Sequence, residues 1–340
     1  MAARQLRPGE VRTDDLDVLF RAHISREFVL RVDGWSSVES DHGWVTVHPM
    51  RLLYESNYLG FLVRSSTGRR SYTMTPNPLT YAMSRAFDRP LSLRLPTAIS
   101  LLDILSTNYA HFFDLIMNKL RLAEEAGLPD SLPLLLSSWA ASTPFCQAVL
   151  GLHPEIAKRV VVVKSGRVEV EQLFIVRNSM DAKDNYDFAR RLVGQPATDG
   201  SERLLLIRRV GANGRKLANE PELIETCQRF GFQPYDPAVD SLQQQAKRFA
   251  NASHVVSVHG AALANTMFRA GAPMSILELF HSAVIRDHFF VLAAHYGFDY
   301  DALVGNVEGK PSKHAVNTAP LRIDVQALTR KLDRMTSCNS

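Results

Sequence analysis

The sequence predicts an α/β protein of two lobes, the second a parallel sheet with helices wound on both faces. Three observations predict it. At 340 residues the chain is long for a single hydrophobic core, and the relation between surface and volume favours two units. From Arg203 onward, apolar runs of strand length alternate with amphipathic runs of helix length, the pattern of a parallel sheet. The stretch His254 to Phe280, "HVVSVHGAALANTMFRAGAPMSILELF", reads as a buried strand, an abrupt turn, a small-residue helix and a second buried strand.

The first hundred residues mix short β-prone runs, such as "EFVLRV" and "WVTVHP", with Pro and Gly breaks and declare no fold of their own. From Ser106 to Ala126, Tyr109, Phe112, Phe113, Ile116 and Leu120 recur at helical spacing, and Gly127 with Pro129 supplies the stop. A strand, "LPLLLSS", follows, then a helix around Cys146. "RVVVVKSGRVEVEQLFIV" is two β-rich runs around Ser165-Gly166, a turn of hairpin type. Val193 to Glu202 is rich in Gly, Pro and small polar residues and is the expected linker. It separates a first α/β lobe at 1–195 from a second at 196–305.

In the second lobe, strands "RLLLI", "FQPY", "HVVSV" and "MSILELF" alternate with helices "EPELIETCQRF", "LQQQAKRFAN", "AALANTMF" and "RDHFFVLAAHY". Asn219 with Glu222 three residues on has the form of a capping box, and Gly231 sits where a helix C-terminus calls for positive φ. A loop from Gly305 to Pro320 leads to a final helix with Asp324 as N-cap. Residues 306–340 are expected to pack back on the first lobe.

Composition narrows the function classes. With 46% hydrophobic and 22% charged residues the chain can bury a large core. A formal charge of +4, modest and spread along the sequence, suits an acidic small molecule or a membrane surface as well as nucleic acid, and no nucleic-acid partner is expected. The three cysteines, Cys146, Cys227 and Cys338, have neither metal-type nor redox-type spacing. The polar N-terminus lacks a secretory core and no run is long enough to span a bilayer, so a cytoplasmic location is expected, and Asn251-Ala252-Ser253 is not read as a glycosylation site.

The His-Gly turn is the candidate site. In a doubly wound sheet, ligands bind at the carboxyl ends of the strands, where connecting turns and helix N-termini converge. Gly260 can take dihedrals closed to other residues, and Ala261 and Ala262 leave the first helical turn bare. With the helix dipole this forms a phosphate cradle. Glu278 ends the next strand, where two ribose hydroxyls are suitable partners for its carboxylate. Arg208 and Arg209 leave the first strand of the lobe, and Arg215 follows a Gly-Ala-Asn-Gly loop; guanidinium groups bind diphosphate oxygens in pairs. Other readings stand beside each of these: close helix-sheet packing for the small residues, a solvent-facing strand edge for Glu278, a backbone contact for His259, and ordinary surface charge for Arg208 and Arg209.

Taken together, "RLLLIRRVGANGRKLANEPELIETCQRFGF", "VVSVHGAALANTMF" and "SILELF" resemble, in order and spacing, the nucleotide-binding lobe of glycosyltransferase family 61, also catalogued as a bacterial domain of unknown function, DUF563. "NYAHFFDLIMNKLRLAEEAGLPD" resembles that family's first-lobe helix. The resemblance implies a GT-B fold of two Rossmann-like lobes with a nucleotide-sugar cleft between them. It also implies a nucleoside diphosphate sugar donor, UDP-linked, a glycan or glycolipid acceptor, inversion, and no obligatory metal or other cofactor. Carried over by position, Arg208 and Arg215 match recurrent arginines and Asn219 with Glu220 an Asn-Glu pair. His259, Gly260 and Ala261 match a His-Gly-Ala turn, Asn265 a downstream Asn, Glu278 a strand-end Glu, and Asn108 and His111 the first-lobe helix. The chain departs from the pattern twice: Leu115 stands where the family has an acid, with Asp114 one residue early, and Asn118 replaces a frequent Pro.

An inverting transfer needs a base for the acceptor hydroxyl and positive charge for the departing diphosphate. Asn108, His111 and Asp114 lie three apart and are expected on one helix face, with His111 as base and Asp114 as substitute. His111 as a structural residue of that face is the alternative. "DYD", Asp299 to Asp301, looks like the metal signature of the other large transferase fold but follows a late helix, and is read as coincidence. A dinucleotide oxidoreductase lacks its G-x-G-x-x-G, and a hydrolase lacks a nucleophile elbow. A degenerate transferase kept as a nucleotide-sugar sensor or subunit remains the non-enzyme alternative. For the enzyme, the expected setting is polysaccharide or glycoconjugate biosynthesis, peripheral to the inner membrane.

Overall fold

The computed structural model describes residues 9–10, 36–40, 43–48, 50–56, 60–65, 71–73, 91–103, 105–163, 167–178, 181–207, 217–281, 285–307 and 320–337. The chain divides into two compact units: Val29–Val193, and Gly194–Ser340 together with Met1–Phe28. The earliest strand, β1 (Gly9–Glu10), pairs antiparallel with a strand of the second unit, so this segment does not belong to the first lobe as the sequence reading had it.

The Val29–Val193 unit is built on a mixed sheet. Its strands are β2 (Ser36–Ser40), β3 (Gly43–His48), β4 (Met50–Ser56), β5 (Gly60–Ser65), β6 (Ser71–Thr73), β7 (Leu91–Ser100), β8 (Leu134–Ser137), β9 (Val160–Val163) and β10 (Arg167–Asn178). The order β6-β5-β4-β10-β7-β8-β9 joins an antiparallel half to a parallel half, and β3 also pairs with β10. The expected hairpin across Ser165-Gly166 is not formed: β9 and β10 are separated by β8 and β7, and each takes a parallel partner distant in sequence.

The connection from β7 to β8 begins as a short helix α1 (Tyr109–His111), widens into a π-helical segment (Phe112–Met117) and returns to α geometry in α2 (Asn118–Glu125). Then come α3 (Ser138–Ala141), α4 (Pro144–Leu152), α5 (Pro154–Ala157) and α6 (Lys183–Val193). Cys146 on α4 is fully buried, and burial pushes its thiol pKa up to about 12, which makes it inert.

In the second unit β11 (Glu202–Leu206), β12 (Gln233–Tyr235), β13 (Ala252–Val258), β14 (Ser275–His281) and β15 (Asp299–Val307) are parallel, in the order β12-β11-β13-β14-β15. This is the doubly wound order whose switch point lies between the first strand and the third, here β11 and β13. A short β16 (Leu321–Arg322) adds antiparallel to β15. One face of the sheet, Leu205, Val256, Leu277 and Leu303, is covered by Leu223 and Cys227 of α7 (Glu220–Arg229). Between sheet faces run α8 (Leu242–Ala250), a 3₁₀ helix (Ala261–Arg269) and α9 (His288–Tyr296).

The final helix, α10 (Val325–Ser337), buries Leu328 and Leu332 in the same core as α7, and its Lys331 ammonium meets Asp301 at 2.7 Å. It packs within its own unit. The expected linker is half fastened. The buried Arg269 guanidinium donates to the carbonyls of Thr198 (3.2 Å), Gly200 (2.9 Å) and Ala250 (2.6 Å), and a Cβ on Gly200 would lie 2.6 Å from the Asn251 side chain.

Asn219 does not cap α7. Its side chain accepts from Ile323 N–H at 3.1 Å and donates to Ile323 O at 2.9 Å, pairing like a strand with the segment ahead of α10, while Glu222 merely accepts from the same amide at 3.2 Å. His254 also holds α10, reaching the Met335 carbonyl at 3.2 Å from β13 and meeting Ser253 at 2.8 Å through its other nitrogen.

Burial first, then the charge of Arg203, lowers the pKa of His254 below its ordinary 6.5. Above 6.5 the folded and unfolded chains are equally neutral at this residue; below it the unfolded chain takes up a proton that the folded chain resists, so stability falls with pH until the folded value is passed. The melting temperature of the wild type should therefore drop more between about pH 7.5 and 5.5 than that of His254→Gln, and parallel curves would contradict the assignment.

Candidate functional site

The carboxyl end of β13 carries His259 and Gly260 into the 3₁₀ helix, and Leu206 at the end of β11 pairs with Ser257 just before it. The His-Gly turn thus stands at the switch point of the sheet. Arg208, Arg209 and Arg215 follow β11 in sequence and lie outside the described residues.

Gly260 corrects one expectation. Its φ of 178° and ψ of 163° are extended backbone open to any residue, and a Cβ there would meet only the Val258 carbonyl, at 3.6 Å. Neither conformation nor protein packing calls for glycine at this position. The helix that follows is 3₁₀ over nine residues, long for that geometry. Side chains support its three-residue repeat: Thr266 donates to Leu263 O at 2.7 Å and Asn265 to Ala262 O at 3.1 Å. Leu263 N–H bonds back to Gly260 O at 3.0 Å, so the first N–H groups, on the half-buried Ala261 and Ala262, have no acceptor within the helix. Asn265 is fully buried and also reaches Gln245 of α8 at 3.2 Å, which makes it a packing residue of the helix interior.

Glu278 lies in β14, all seven residues of which are buried. A carboxylate there requires donors, and it has them: His259 Nδ1 donates to Oε1 and the Tyr300 hydroxyl to Oε2, each at 2.5 Å. These bonds engage Glu278 where two ribose hydroxyls were expected, and the His259 side chain meets this carboxylate where a backbone contact was the alternative reading. The His259 ring is stacked on Phe280, with centroids 5.3 Å apart, and tilted against Phe289 at 5.5 Å. Burial and the Glu278 charge raise the Tyr300 phenol well above its usual range, so it stays protonated and donates.

Sequence reading missed Tyr300, because the strand that carries it opens "DYD", a triplet read as a coincidental likeness to a metal signature after a late helix. The register was the available signal: Tyr300 pairs with Ile276, on the same face as Glu278 and one pleat away. The other members of that triplet are structural, Asp301 pairing with Lys331 and Asp299 lying within 3.4 Å of Ser275.

In the Val29–Val193 unit the three residues expected on one helix face separate. Asn108 is exposed and caps α1, its side chain accepting from His111 N–H at 3.3 Å. His111 is half-buried at the last residue of α1. Asp114, inside the π-helical segment, is buried; its carboxylate accepts from Asp181 N–H at 3.1 Å and from the Asn185 amide at 2.7 Å. Asn118, in the position of the family's Pro, turns its own amide onto the carbonyls of Asp114 (3.2 Å) and Asn185 (3.1 Å), and Arg121 joins Asn185 at 3.1 Å. Asp114 is thus an anchor for the start of α6 and not a substitute base. Asn219 is buried against Ile323, and Glu220 is half-buried in the first turn of α7.

Residues 109–275, just under half of the chain, match the family model described as Glycosyltransferase 61. The match opens on α1 and closes on the first residue of β14. No curated protein is similar enough to the chain to match it. Among solved structures, the chain is similar to the dodecameric iron-containing heptosyltransferase TibC in complex with ADP-D-beta-D-heptose, at 11% identity over 72% of this chain and 78% of that one, with a TM-score of 0.28. It is similar also to the metal-soaked Flv1 flavodiiron core from Synechocystis sp. PCC6803, at 8% identity over 96% and 72%, with a TM-score of 0.26. At those scores neither likeness bears on fold or chemistry.

Asp114→Ala removes the acceptor for a buried amide and a backbone N–H and is expected to cost about 2–4 kcal/mol of stability, read from denaturant unfolding. A catalytic base at this position would instead lose activity with stability unchanged.

Proposed function

We propose that this chain, a member of glycosyltransferase family 61 over residues 109–275, moves a sugar from a nucleoside diphosphate sugar, UDP-linked, to a hydroxyl of a glycan or glycolipid acceptor. The transfer inverts the anomeric carbon, needs no obligatory metal, and belongs to polysaccharide or glycoconjugate biosynthesis on a GT-B plan. The observation that carries the reading is the switch-point turn: an unrequired glycine, two N–H groups without helical acceptors, and an imidazole held beside them.

In this reading the diphosphate rests on the Ala261 and Ala262 amides, and Arg208 and Arg215 supply the charge that stabilises the departing phosphate. The acceptor oxygen attacks the anomeric carbon as the bond to the phosphate breaks, and His111 takes the hydroxyl proton. Among the described residues no helix is long and apolar enough to cross a membrane, so work at the inner membrane face would be peripheral. The engagement of Asp114 favours one second reading, a nucleotide-sugar-binding subunit without turnover.

Two variants test these readings. Gly260→Val adds a side chain where protein packing leaves room, so melting should shift little while calorimetric affinity for UDP-sugars falls at least about tenfold. Unchanged affinity would remove the turn from the site. His111→Ala should retain donor binding and lose about a hundredfold or more in transfer. Tight binding by a wild type that neither transfers nor hydrolyses any donor would establish the subunit reading instead.

A further inference from the structure

The chain of hydrogen bonds behind the turn has a direction. Glu278 is wholly buried, its two oxygens each take one donor, and the two donors come from different elements, His259 beyond the end of β13 and Tyr300 from β15. Because a carboxylate only accepts, both contacts define who carries the proton: the Tyr300 O–H points at Oε2 and the His259 Nδ1–H at Oε1. The imidazole is over-determined. Its backbone N–H is tied to Leu279 O at 3.0 Å, Phe280 and Phe289 fix the ring plane, and Glu278 fixes which edge faces inward. Tyr300 is itself held, edge to face with Phe290 of α9 at 5.4 Å.

We propose that Tyr300 is a positioning residue of the donor site: by holding Glu278 it sets the orientation and the Nδ1-protonated state of His259, the imidazole held beside the amides on which the diphosphate rests. Nothing in the sequence motifs points to Tyr300, and both it and Glu278 lie beyond the matched residues 109–275. The logic is that of an orienting group behind a functional histidine, in which the bond at one ring nitrogen decides what the other nitrogen presents. A phenol is suited to this post because it neutralises part of the carboxylate's demand without competing for the imidazole proton. The inference rests on the donor-site reading for its effect on binding, and on geometry alone for its effect on the imidazole.

The test uses the full chain labelled with ¹⁵N-histidine, its eleven histidines sorted by comparison with His259→Gln. In the ligand-free wild type, His259 is expected to show a protonated Nδ1 with a slowly exchanging, downfield proton. Tyr300→Phe keeps the ring against Phe290 and should lower the melting temperature while the chain still folds, and it should shift that proton, speed its exchange, and weaken UDP binding by about tenfold, the effect of one hydrogen bond to a charged group. An unmoved Nδ1–H signal in Tyr300→Phe overturns the proposal, as does a moved signal with unaltered UDP affinity. Should Tyr300→Phe fail to fold, Glu278→Gln carries the same two readouts and is expected to lose the signal. A wild type that binds no UDP sinks the donor-site reading, and the ligand-free spectra then decide the positioning chain on their own.

Discussion

A carboxylate in the middle of a buried strand must be satisfied before a sheet can close around it, and the C-terminal unit is organised about that requirement. Glu278 has no solvent to fall back on, so β13 and β15, the two strands beside its own, each send it a donor. The residue that answers from β13 sits one position beyond the strand end, and so the His-Gly turn is tied down by the sheet interior rather than by contacts at its surface. The parallel register, with Ser257 opposite Glu278 and Tyr300 one pleat away, is what makes the two donors arrive on the same face.

The Val29–Val193 unit meets the same problem with Asp114 and solves it differently. There the donors are a backbone N–H and an amide at the start of α6, and the carboxylate ends as a pin between two helical segments. Asn118 and Arg121 extend the pin into a buried polar network, which is stable only while each member has its partner. A helix that widens into π geometry leaves carbonyls facing away from their usual donors, and the Asn118 amide takes up that of Asp114. The Asp114 carboxylate and the Asn118 amide at this helix thus both serve packing.

What the sequence disclosed was local. Four strands of the C-terminal unit, their intervening helices, and the turn at His259 were legible because apolar runs of the right length were bounded by Gly, Asn and Pro. Apart from the local backbone at Gly260, the errors involve partners far along the chain. Asn219 was read as a cap for its neighbour Glu222 and instead pairs with Ile323, 104 residues on. Asp114 was read as a group facing out and is met by Asp181 and Asn185, 67 and 71 residues on. The run after Ser165-Gly166 was given its neighbour in sequence as partner, whereas β10 takes β7. The strand β15 escaped notice because it opens with a polar triplet, and with it went the tyrosine that completes the site's second row. Periodicity reports which side of an element is buried and is silent on what lies across from it.

The nine-residue 3₁₀ helix changes the ruler by which that segment should be engineered. Side chains three apart eclipse one another, so the segment has three edges instead of a rotating stripe. Ala261, Ala264 and Met267 form one edge, Ala262, Asn265 and Phe268 the second, and Leu263, Thr266 and Arg269 the third. Library designs drawn on an α-helical wheel would mix these edges. On every edge the positions from Leu263 to Arg269 are buried packing positions, Ala264 and Met267 of the first edge included, and Ala261 and Ala262 at the open end are the half-buried ones.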